Sequence, residues 1–127
     1  MKEIKFRGKR MGSDEWLHGD LVHRNGKTHI FPVDGMNSAE YYEVDPGTVG
    51  QFTGLHDGRR GQGQEIYPGD IVKEEDRGFI YICKWNRHRC EFAWFLKDGS
   101  YIGSIGDMRI GLKVIGNIHD NPELMRS

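Results

Sequence analysis

The sequence predicts a mostly β protein made of two related antiparallel modules, and three observations predict it. Val, Ile, Tyr, Phe and Trp fall in short runs between turn residues, and 18 glycines in 127 residues punctuate them, leaving little room for helix. Residues 15–22 read EWLHGDLV and residues 65–72 read EIYPGDIV, so Glu, Gly, Asp and Val recur at matching positions and Leu21 is swapped only for Ile71. Within 79–102, apolar residues alternate in the period of two that a half-buried strand requires.

Strands are expected near 3–8, 20–24, 28–33, 41–44, 48–54, 70–74, 78–85, 90–97, 100–103 and 112–119. The turns carry named chemistry. Tyr67-Pro68-Gly69-Asp70 fits a type II turn, with proline fixing φ at the second position and glycine taking the positive φ at the third. Leu17-His18-Gly19-Asp20 repeats it without the proline. Each turn then launches an aliphatic strand, at Leu21-Val22 and at Ile71-Val72. In the later hairpin Phe79, Tyr81, Cys83 and Trp85 share one face, as do Cys90, Phe92, Trp94 and Leu96, with Asn86-Arg87-His88-Arg89 as the loop. That register sets Trp85 against Cys90, Lys84 against Glu91 and Cys83 against Phe92. Asp98-Gly99 marks a two-residue type I′ turn returning through Tyr101 and Ile102. Asp120 or Asn121 as N-cap, with Pro122 as first helical residue and Glu123 in the first turn, starts one short C-terminal helical turn.

The repetition extends further. VGQF at 49–52 has a counterpart in IGNI at 115–118, and Phe6-Arg7-Gly8 precedes the first phrase as Phe52-Thr53-Gly54 precedes the second. The expectation is a single domain over 1–127 containing two interlocked, barrel-like modules, about 1–54 and 48–127. The strand near Phe52 serves both modules around one continuous core, and Leu124 and Met125 cap an open end.

Composition bounds the function classes. Lys and Arg total 18 against 19 Asp and Glu, a formal charge of −1, so nothing global points to nucleic acid or to a membrane surface. Cys83 and Cys90 are too few and too close for a secreted disulfide framework, and the opening MKEIKFRGKR lacks the apolar core of a signal peptide. No apolar run approaches membrane-spanning length. A chain of this size buries a core without metal or disulfide support. A soluble cytoplasmic protein with reduced thiols is expected.

Five blocks in series, IKFRGKR at 4–10, EWLHGDLV, EVDPGTVGQFTGL at 43–55, EIYPGDIVK at 65–73 and IGNIHDNPEL at 115–124, resemble the YopX family of small phage and prophage proteins. The resemblance runs nearly end to end. It implies a mostly β fold, a bacterial host cell and self-association, and it supplies no catalytic residues. DGRRGQGQ at 57–64 departs from the shorter, lysine-bearing loop of that family.

Each candidate site has a structural reading beside it. Asp20 and Asp70 could form a carboxylate pair for hydrolysis, but each more often accepts backbone N–H groups in its own turn. Cys83, His88, Cys90 and the other histidines lack the spacing of a metal site, and Asp70, Glu74, Glu75 and Asp76 lack that of a calcium loop. No metal or cofactor is expected. DGRRGQGQ has no phosphate-binding fingerprint and reads as a mobile hairpin loop. Arg59 and Arg60 in that loop, and Arg87 and Arg89 beside His88 at the hairpin tip, are the candidate nucleic-acid contacts, with rings available to stack. Against that, Trp85, Phe92 and Trp94 alternate as core residues do.

From Thr28 to Gly58 there is no lysine or arginine, whereas the first 27 residues hold Lys2, Lys5, Arg7, Lys9, Arg10, Arg24 and Lys27. Asp34, Glu40, Glu43, Asp45 and Asp57 make the later segment acidic, while Glu3, Asp14, Glu15 and Asp20 dilute the earlier one; opposed segments of this kind suit contact between subunits, and a match within the chain is equally available. The expectation is a phage-type protein that binds and does not catalyse, as a protein-interaction or self-assembling module, with a protein partner or a homo-oligomer. Nucleic-acid binding is the alternative and an uncharacterised hydrolase the second alternative.

Overall fold

The computed structural model describes residues 3–33, 40–107 and 111–126. Ten strands follow in chain order: β1 (Phe6–Lys9), β2 (Trp16–Arg24), β3 (Lys27–Pro32), β4 (Tyr42–Glu43), β5 (Gly50–Gln51), β6 (Asp70–Glu74), β7 (Ile80–Asn86), β8 (Glu91–Phe95), β9 (Tyr101–Ser104) and β10 (Leu112–Asn117). Among the described residues, helix is confined to three short 3-10 turns. The chain divides into two compact units, Met1–Phe52 and Thr53–Ser127, each holding one five-stranded antiparallel sheet.

In the first unit the strand order is β4-β3-β2-β1-β5. Leu17, Ile30 and Val44 form its core, with Phe6, Leu21, Tyr42 and Val49 packed against them. A two-residue turn at Asn25 (φ 55) and Gly26 (φ 74) joins β2 to β3, the type I′ geometry that matches the twist of the flanking strands. Asp45 caps the 3-10 turn Pro46–Thr48 by accepting from Gly47 N–H at 3.0 Å, and Thr48 Oγ1 accepts from Lys9 N–H at 2.9 Å.

The first copy of the repeated phrase is not a turn. β2 runs straight through Gly19, which pairs with Phe6 on one side and Pro32 on the other. A side-chain carbon at Gly19 would overlap the Phe31 carbonyl oxygen, so the glycine is there for close approach of backbone. Asp20 is an exposed strand residue opposite Phe31. Without proline to set φ, nothing in this copy forces the reversal that the second copy makes.

In the second unit the order is β10-β6-β7-β8-β9. Its core holds Ile66, Val72, Tyr81, Cys83, Trp94, Ile105 and Leu112. Here the phrase is the expected turn: Gly69 sits at φ 97, Asp70 N–H donates to Tyr67 O at 3.0 Å, and Pro68 occupies the second position. The Asp70 carboxylate is buried and accepts from Tyr67 N–H at 2.8 Å, tying the turn to itself.

The β7–β8 hairpin keeps its predicted faces but shifts register by two residues. Trp85 opposes Phe92, Cys83 opposes Trp94 and Asn86 opposes Glu91, leaving Arg87-His88-Arg89-Cys90 as the loop. Asn86 extends the ladder while its Oδ1 accepts from His88 N–H at 3.2 Å, and Cys90 takes the left-handed position at φ 52. The next turn also differs from expectation. Gly99 N–H donates to Leu96 O and Leu96 N–H to Ser100 O, each at 2.9 Å, with Gly99 alone at positive φ. That is a three-residue type I turn plus bulge, since Asp98 stays at negative φ and accepts from Ser100 N–H at 2.8 Å.

Neither sheet closes into a barrel. β4 is two residues long, and in the first unit the return to β1 stops at one isolated bridge, Arg10 to Val44. β5 pairs only with β1. At the unit boundary, Phe52 N–H goes to Lys5 O and Thr53 N–H to Ile66 O. Each unit carries its own hydrophobic cluster. At the C-terminal end, Pro122–Met125 is a 3-10 turn, and the Asn121 side chain makes no cap; its Oδ1 accepts from Asn117 N–H at 3.2 Å.

Candidate functional site

Two surfaces combine chemistry with access, one in each unit. The first is a cleft of about 300 Å³ lined by Arg10, Glu15, Trp16, Leu17, His18, Pro32 and Tyr42. β1 continues past Lys9 to Arg10, whose N–H donates to Glu15 O at 2.9 Å, and this closes the loop that returns the chain into β2 at Trp16. The Arg10 guanidinium carbon lies 4.1 Å from the centroid of the Tyr42 ring, a cation–π contact, and Nη1 is 3.6 Å from Glu15 Oε1. Tyr42 in turn donates its hydroxyl to Glu40 Oε2 at 2.5 Å, which raises the phenol above its ordinary pKa. Arg7 and Lys9, on the same face of β1, lie 4.6 and 5.7 Å from the Trp16 ring.

The second surface is the outer end of the β7–β8 hairpin. Trp85 is 52% exposed, with its ring 5.0 Å from Phe92 in an edge-to-face arrangement at 73°. Arg87, His88, Arg89 and Cys90 are all exposed at the tip, and Lys84 is exposed on the neighbouring strand position. Arg89 Nε is 3.5 Å from Glu91 Oε2, a screened pair that partly offsets its charge.

The predicted arginines are therefore not equivalent. Arg87 and Arg89 belong to this tip. Arg59 is held elsewhere: its Nη2 donates to Asp76 Oδ1 at 2.8 Å and its Nε lies 3.5 Å from Glu75, which raises its pKa, chiefly through the Asp76 bond. Arg60 is exposed on the same loop. That loop is a compact hairpin closed by the bridge of His56 to Glu65. Buried Asp57 accepts from Gln64 N–H at 2.6 Å and from Val114 N–H at 2.8 Å, and so anchors the loop to β10.

Pro68, Gly69 and Asp70 lie in the turn that Asp70 N–H closes onto Tyr67 O, whereas Gly19 and Asp20 lie within a strand. Cys83 is a buried core thiol and Cys90 an exposed turn thiol, and neither is in a disulfide. Among the described residues no three His, Cys, Asp or Glu side chains gather as metal ligands would. No helix of the described residues is long and apolar enough to cross a membrane.

Sequence reasoning missed the cleft because Arg10, Trp16 and Tyr42 become neighbours only through sheet pairing. It also placed Trp85 with the core rings by alternation. The available signal was position: Trp85 is the last apolar residue before a basic loop, beyond the part of β7 that pairs with β6.

The sequence profile of the family described as YopX protein matches residues 5–126. No curated protein matches the chain. Among solved structures, the crystal structure of protein EF1440 from Enterococcus faecalis is similar, with TM-score 0.61 and 25% sequence identity over 99% of this chain and 100% of that one.

Proposed function

The chain belongs to the YopX family, and on that footing we propose that it is a phage- or prophage-type binding protein of the bacterial cytoplasm that engages a protein through its β7–β8 hairpin. The observation that carries this reading is Trp85. A tryptophan half exposed and held edge-to-face against Phe92 at the end of a hairpin presents a large apolar area at little entropic cost, which is the chemistry of an interface anchor. A second copy of the chain is the partner tested first. Native mass spectrometry of the purified protein should give an integer multiple of 14.6 kDa that falls toward the single chain in Trp85→Ala. A single chain with and without the ring, together with no protein crosslinked by a photoreactive residue placed at position 85 in bacterial cells, overturns the reading.

Nucleic-acid binding is the second reading, favoured by the cations Arg87 and Arg89 in the loop that follows the same exposed ring. Stacking on Trp85 with the backbone tracked by these cations would make affinity fall steeply with salt. The ion pairs of Arg59 and Arg89 weaken the charge available to it. Excess mass removed by nuclease would favour this reading over the first.

A further inference from the structure

The cleft in the first unit has a property that the hairpin lacks: an oriented but unused hydrogen-bond donor. The Arg10 guanidinium presents five N–H donors. Among the described residues it makes a cation–π contact with Tyr42 and a loose ion pair with Glu15 at 3.6 Å, and none of its donors is in a hydrogen bond. Its side chain keeps 43% of its accessible surface. An arginine stacked on a ring has lost part of its rotamer freedom already, so its planar fork is preset for two parallel bonds to a planar anion.

The rest of the lining sets what else the ligand must be. Trp16, Leu17, Pro32 and Tyr42 supply apolar and aromatic wall, and about 300 Å³ is the lower end of the range for small-ligand sites. Glu15 bears on the charge. It lies beside the fork, and its 58% exposure leaves it solvated, so its repulsion is screened for one negative charge but doubled for two. We propose that this cleft binds a monocarboxylate on a planar or apolar body, with the Arg10 fork on the carboxylate and Leu17, Pro32 and Tyr42 against the body, and that it disfavours phosphate dianions. Two sources share this chemistry, a free aromatic acid and the C-terminal carboxylate of a peptide ending in an apolar residue.

The test is an NMR titration of the full chain, following the backbone amides of Arg10 and Glu15 and the indole N–H of Trp16. Phenylacetate represents the free acid and N-acetylphenylalanine the peptide terminus; N-acetylphenylalaninamide lacks the carboxylate. Both acids should shift these signals saturably in the millimolar range or tighter, the tighter one identifying the source, and the amide should bind about tenfold more weakly or not at all. Arg10→Gln should weaken the acids by about tenfold and Arg10→Lys by less, while Glu15→Gln should tighten them by roughly threefold. Unchanged signals elsewhere in the spectra of these exposed-site variants establish that they fold. Equal binding of acid and amide, persistence in Arg10→Gln, equal competition by inorganic phosphate, or no saturable shift by either acid would each overturn the assignment.

Discussion

Asp57 and Val114 are joined by a hydrogen bond across 57 residues of sequence: Val114 N–H donates to Asp57 Oδ2 at 2.8 Å. The other carboxylate oxygen receives Gln64 N–H at 2.6 Å, so one buried side chain both closes the glycine-rich loop and fixes it to the last strand. Val114 lies where β10 breaks register, with Ile115 the extra residue between the Val72 and Ile71 pairings. Asp57→Ala leaves two part-buried N–H groups without their acceptor and should cost about 2 kcal/mol, read from urea unfolding of the second unit. Asp57→Asn, whose amide oxygen serves only one of them, should fall between.

The two glycines of the repeated phrase should respond differently to the same substitution. Gly69→Ala places a side chain at φ 97, a backbone strain of about 1–2 kcal/mol. Gly19→Ala is not strained in φ but drives a methyl into the Phe31 carbonyl oxygen at the end of the β2–β3 ladder, and should cost more, with the first unit opening. Equal losses by denaturant titration would mean that the two copies share one conformation after all.

That contrast shows how far the sequence can be read. Each of the ten strands of the described residues overlaps one expected from the sequence, although β2 begins at Trp16, across the expected turn, and the Pro68-Gly69 turn follows from local φ preferences. Gly19 carries no such local instruction; its role depends on Phe31, twelve residues on, and only the folded sheet brings them together. The type I′ turn forms at Asn25-Gly26, where asparagine also accepts positive φ, and not at Asp98-Gly99, where Asp98 gains more by bonding Ser100 N–H. The hairpin register hinges likewise on Cys90 adopting φ 52. The cleft was illegible for a related reason: its aromatic and cationic residues come from three strand ends, and no period or motif links them.

The two hairpin tryptophans should separate stability from binding. Trp94 is fully buried, and Trp94→Ala should cost about 4 kcal/mol through the cavity it leaves. Its indole N–H finds no acceptor among the described residues, so Trp94→Phe should cost less than the lost area alone suggests. Trp85→Ala should stay within about 1 kcal/mol of wild type in urea, because half of that side chain is already in water. The assembly state or crosslinking at position 85 should be what it changes.

The β8–β9 hairpin should loosen at both ends of the pH scale for opposite reasons. The Ser100 hydroxyl and N–H hold the Asp98 carboxyl below its ordinary value of 3.8. A depressed acid stabilises the folded turn above its unfolded pKa, and that contribution is lost as pH falls below 3.8 through the folded value. Tyr101 behaves inversely. Its hydroxyl donates to Glu91 Oε2 at 2.8 Å, and that bond raises the phenol above 10.0. The raised group stabilises fully below pH 10.0, and its contribution disappears as pH rises through the folded value. Amide protection of Leu96 and Ser100, read by NMR-detected hydrogen exchange corrected for the intrinsic pH dependence, should fall on both limbs. Asp98→Asn should abolish the acid limb and leave the alkaline one, whereas Tyr101→Phe should do the reverse. An acid limb that survives Asp98→Asn would place the titrating group elsewhere in the second unit.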